Sequence, residues 1–182
     1  MKKWLMTAWT AVVFLSGCGA EESPSASVDQ KASQSDLHKN GMPEAMPSDF
    51  DFSVRYGYGM KDEINTYENT VTKDLVVKGA ATADITLSEE EMGAIYAKMK
   101  AIDVIHLTKL NPTTTNCAQT PFNQASWMIT IASNTQSLTW SSEHCTVTDD
   151  ARKLLDLQTY IQGIVKGKPA YKALPEAEGG YD

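Results

Sequence analysis

This chain of 182 residues is poor in the side chains that do most enzyme chemistry, with three histidines and three cysteines. It has no Gly-x-Ser-x-Gly elbow, His-Glu-x-x-His helix, Walker loop, dinucleotide fingerprint or EF-hand loop. Those absences exclude the enzyme classes that carry a local signature. They say nothing of catalysis by scattered residues, because a triad is defined by geometry and not by order. No Cys-x-x-Cys occurs, so a dithiol redox pair of the usual spacing is excluded. No apolar run reaches the roughly 18 residues that a membrane-spanning helix needs. Basic residues are also few, 16 against 23 acidic, for a net charge of −7. That disfavours nucleic acid, whose affinity comes mainly from Lys and Arg on phosphates. It equally disfavours flat contact with anionic lipid.

What is present begins with Lys2 and Lys3, then a mostly apolar run from Trp4 to Leu15. A charged start and a short apolar core are the parts of a secretory signal. An ordinary signal would end in an Ala-x-Ala-like site, whereas here Leu15-Ser16-Gly17-Cys18 follows. These four residues resemble the lipobox of bacterial lipoprotein signal peptides. The resemblance implies diacylglycerol on the Cys18 sulfur and cleavage between Gly17 and Cys18. It also implies a place at the cell membrane, facing outside the cytoplasm. Two acyl chains hold a protein stably where one holds it marginally, so the membrane becomes a partner through Cys18. Without Lys2 and Lys3 the chain carries 14 basic residues against 23 acidic, a net charge of −9.

With Cys18 assigned to lipid, Cys117 and Cys145 remain, and an even pair in an exported chain reads as a disulfide. The rival is a free thiol acting as nucleophile, Cys145 or Cys117, which needs a histidine within hydrogen-bond reach. His144 is adjacent to Cys145, but neighbours on a strand point to opposite faces. A metal site is not expected, because Glu143, His144, Cys145 and Cys117 have no recognised zinc spacing. No cofactor is expected either.

Four segments follow: a signal peptide over 1–17, a lipidated cysteine and disordered tether over 18–47, an α+β domain over 48–170, and a flexible tail over 171–182. The tether holds almost no large apolar residues and no period, so burial cannot offset its ordering entropy. Ordered structure is expected from Phe50. Phe50, Phe52, Val54, Tyr56, Tyr58 and Met60 alternate with polar or small residues, a half-buried strand. Gly57 and Gly59 mark a bulge or a close backbone approach. Lys61 to Ile64 should turn the chain into a return strand over 65–71, with Tyr67 and Val71 on one face. A third strand over 81–87 should feed a helix whose start, Ser88-Glu89-Glu90-Glu91, fits a capping box. Met92, Ile95, Tyr96, Met99 and Ile102 follow at helical spacing.

A second hairpin is read from alternation around Trp127 and Trp140, which should face each other across it. A last helix starts at Thr148 and carries Ala151, Leu154, Leu157, Ile161, Ile164 and Val165. The expected fold is therefore α+β: one antiparallel sheet of about four to five strands with two helices on one face. Between the first helix and the second hairpin lies a long polar stretch, residues 108–124. Loops of that length are usually functional or disordered, and Cys117 fastens this one. Thr113, Thr114, Thr115, Asn116 and Gln119 are its candidate contact residues. The expected function is binding without catalysis, to another envelope protein or a cell-wall polymer.

Overall fold

The computed structural model describes residues 41–181. The leader, Cys18 and the tether as far as residue 40 lie outside the described residues. The described residues form six strands, β1 (Asp51–Tyr56), β2 (Asp62–Asn65), β3 (Thr70–Asp74), β4 (Ala80–Asp84), β5 (Gln124–Ile131) and β6 (Asn134–Ser141). Two main helices, α1 (Glu89–Ala101) and α2 (Asp149–Gly167), are followed by a short α3 (Pro169–Lys172). All six strands pair antiparallel in one sheet ordered β4-β3-β2-β1-β5-β6. The class is α+β as expected, with one or two strands more.

Strand alternation sets the layers. Phe52, Val54, Ile64, Val71, Trp127, Ile129, Leu138 and Trp140 point to one face and are buried. Ile95 and Met99 of α1 and Leu154, Ile161 and Val165 of α2 join them in a single core. The opposite face carries Arg55, Glu63, Thr72, Ser126 and Thr139 and, among the described residues, has no helix over it. The second hairpin forms as read, but its register sets Trp127 opposite Leu138 and Trp140 opposite Ala125. The two indoles thus share a face on a diagonal, and the Trp127 ring lies 6.4 Å from that of Phe52.

Local chemistry fixes both helix starts. Ser88 Oγ accepts the Glu91 amide at 3.2 Å, and Glu91 Oε2 accepts the Ser88 amide at 2.7 Å. This is the capping box read from the sequence. Thr148 Oγ1 accepts the Ala151 amide at the start of α2. Lys168, at the end of α2, reaches back to Glu91 at 2.6 Å and ties the two helices.

The first hairpin differs from expectation. β1 ends at Tyr56 because Gly57 (φ 81°) and Gly59 (φ 70°) take left-handed conformations that break the alternation. Residues 61–64, expected as a turn, fall mostly within β2, and the turn comes later. Asn65 Oδ1 accepts the Glu68 amide and Asn69 takes φ 53°, so Tyr67 sits in a turn, partly exposed. At the chain ends, Met42 is buried in the core and Tyr96 donates its hydroxyl to the Pro43 carbonyl. Residues 41–47, expected within the tether, therefore pack on the domain. The expected tail also has partners. Glu178 forms a parallel bridge with Val76, and Lys73 and Lys78 pair with Glu176 and Glu178.

Candidate functional site

The polar stretch after α1 is held along most of its length. Leu107 and Leu110 are buried. The Asn111 amide group donates to the Thr139 carbonyl and accepts the Ser141 amide, covering the free edge of β6. Cys117 and Cys145 are joined in a disulfide with Cα atoms 5.8 Å apart. Beside it the Gln119 amide donates to the Glu143 carbonyl, and Ser142 exchanges hydrogen bonds with Asn123. His144 Nδ1 donates to the Cys117 carbonyl. A thiol nucleophile needs a free sulfur, and here the two sulfurs are bonded to each other.

These constraints divide the five candidate contact residues. Thr113, Thr114, Thr115 and Asn116 are exposed at the loop's tip. Gln119 is not free, since its side-chain amide donates to the Ser142 carbonyl at 2.7 Å. The loop's far end does something the sequence reading missed. Pro121, Phe122 and Asn123 form one wall of a cleft of about 390 Å³. Tyr58, Asp62, Asp74, Val76 and Tyr181 complete it.

Each wall has a local cause. The two left-handed glycines project Tyr58 out of the sheet, where its ring meets Phe122 edge-on, centroids 6.0 Å apart. Gly57 also passes close to Asp62; a Cβ there would lie 3.0 Å from Asp62 Oδ2. Tyr181 packs on Tyr58 at 4.6 Å and donates its hydroxyl to Asp74. The Lys61 ammonium donates to the same hydroxyl at 2.8 Å and stands 4.7 Å from the ring centroid. Asp62 Oδ1 accepts the Asp74 amide, and Asp74 Oδ1 accepts the Val76 amide.

The electrostatics are uneven. Burial pushes the Asp62 carboxyl above its usual range, and the charge of Asp74 adds to this. The Asp74 amide, Lys166 and Lys73 oppose the shift without reversing it. The Tyr181 hydrogen bond, with the negative charge of Asp74 helping, holds the Lys61 ammonium above its ordinary value. The cleft thus sets three aromatic rings and a side-chain amide around two carboxylates, with Lys61 on the Tyr181 hydroxyl and Lys73 and Lys166 acting on Asp62 through space.

Gly57 and Gly59 were the available signal, since paired glycines at a strand end mark close approach. Nothing in the pattern linked them to Phe122 or Tyr181, which lie far away in the chain. Among the described residues no group of three His, Cys, Asp or Glu side chains is placed to hold a metal ion. No protein-family model matches the chain, and no curated protein matches it.

Proposed function

We propose that this protein is a lipid-anchored, extracytoplasmic binding module of a bacterial cell envelope, acting without catalysis. The carrying observation is Leu15-Ser16-Gly17-Cys18 placed directly after a basic start and a short apolar core. Diacylglycerol on Cys18 would hold the domain at the membrane. The binding surface is the disulfide-tied loop, with Thr113 to Asn116 at its tip and the aromatic cleft at its far end. The partner is an envelope polymer or another envelope protein.

Replacing Cys18 tests the anchor. Cys18→Ser should move the protein from the membrane fraction to the soluble fraction and abolish labelling by a palmitate analogue. Unchanged membrane association of Cys18→Ser would overturn the reading.

A further inference from the structure

We infer that the cleft beside the disulfide-tied loop binds an aminated sugar, its ammonium seated between Asp62, Asp74 and the rings of Tyr58, Phe122 and Tyr181. This rests on reading the cleft as the binding surface. Three observations carry it, and the first is charge. Asp62 and Asp74 line the cleft, and among the described residues no Lys, Arg or His side chain bonds either carboxylate; Lys61 bonds the Tyr181 hydroxyl and acts on Asp74 only through space. Lys73, which pairs with Glu176 and lies over the Tyr171 ring, and Lys166 act on Asp62 only through space. A monocation seated in the cleft would give the two carboxylates the direct contact that these lysines do not. Burial raises the cost of ionising Asp62, and a neighbouring positive charge offsets that cost.

The second observation is that the protein already places an ammonium here. Lys61 sits against the Tyr181 ring and bonds its hydroxyl, as a cation held by an aromatic wall would. The Lys61 side chain is flexible and solvent-exposed, so an incoming ammonium can take its place.

The third is shape. The cleft is open, and its volume lies at the small end of the range for ligand pockets, about 300–1,000 Å³. Rings at angles of 41° and 71° to Tyr58 give a ring-shaped ligand apolar faces to pack on. Asn123 and the tyrosine hydroxyls supply hydrogen bonds for hydroxyl groups. A lysyl side chain would instead want a narrow apolar slot, which this cleft is not.

Calorimetric titration of the purified mature protein tests the assignment with three probes: glucosamine, its neutral N-acetylated form, and lysine amide. Glucosamine should bind saturably, and the N-acetylated form about tenfold more weakly or worse. Phe122→Leu should weaken glucosamine by a similar factor. Lys61→Ala should tighten it, because it removes the internal competitor; a purely structural Lys61 would leave binding unchanged or weaker. Equal binding of the two sugars, no binding of glucosamine, or tighter binding of lysine amide would each overturn the inference. The outcome is separable from the anchor. Loss of lipid with glucosamine binding intact would remove only the anchored reading, and lipid without glucosamine binding would remove only this one.

Discussion

The start of α1 and the cleft at the end of the sheet both gather acidic side chains, and they treat charge in opposite ways. At α1, Glu91 has an amide from Ser88 and an ammonium from Lys168, and the Lys168 hydrogen bond holds its carboxyl below the usual range. At the cleft, Asp62 is more buried, has Asp74 as a near neighbour, and is pushed up. The first arrangement is electrostatically complete and serves the fold: it starts a helix and ties it to α2. The second leaves its carboxylates without a bonded cation among the described residues, and one from outside would supply it. Acidic residues in a sequence look alike; whether each finds its partner within the chain separates a cap from a site.

The comparison can be broken most forcefully at the disulfide. Replacing Cys117 and Cys145 together by serine removes a 28-residue closure. The chain-entropy model puts the loss at roughly 3–4 kcal/mol of stability. Chemical denaturation should show that loss. Below the transition, amide exchange should rise at Gln119 and Asn123, which lead into the cleft, and stay unchanged at Glu91 and Met92. Equal protection at both places would mean the disulfide does not position the cleft wall.

A smaller effect is expected at the cap. Ser88→Ala removes the acceptor for the Glu91 amide. It should cost about 1 kcal/mol in thermal or chemical unfolding and leave cleft binding untouched.

The smallest effects are the most diagnostic, because they differ in sign. Glu91 has a lowered carboxyl, so its contribution is present above its ordinary 4.5 and is lost as pH falls through the folded value. Asp62 has a raised carboxyl, so stability is lost as pH rises from its ordinary 3.8 through the folded value. Glu91→Gln should therefore flatten the acid-side loss of stability, by less than about 1 kcal/mol for a pair still partly open to solvent. Asp62→Asn should remove a loss on the opposite side and leave the protein no less stable at neutral pH. Melting temperatures from pH 3 to 7 check both, and slopes of the same sign would collapse the comparison.

Much of the fold was legible because its signals are local. The Ser88 box, the Thr148 cap, the apolar stripes of α1 and α2, and the alternation of β1, β5 and β6 each sit within a few residues. The first hairpin was misplaced where turn chemistry overrode pattern: Asn65 and Asn69 make a tight turn inside what read as a strand. The Cys117–Cys145 pairing could be reached by counting, once Cys18 was set aside for lipid. The cleft was illegible because its walls come from three distant segments: the glycine-rich end of β1, the end of the disulfide-tied loop, and the segment carrying Tyr181. The acidic and glycine-rich last residues read as a flexible tail, yet Tyr181 packs on Tyr58 and bonds Asp74.

The intact mass of the protein taken from the membrane fraction, with and without reduction and alkylation, tests the account most directly. The predicted mass is that of residues 18–182 carrying diacylglycerol, with alkylation at Cys117 and Cys145 after reduction and none before. A mass without lipid would contradict the anchored reading. A thiol alkylated without reduction would put a nucleophilic cysteine in place of the disulfide that holds the cleft wall.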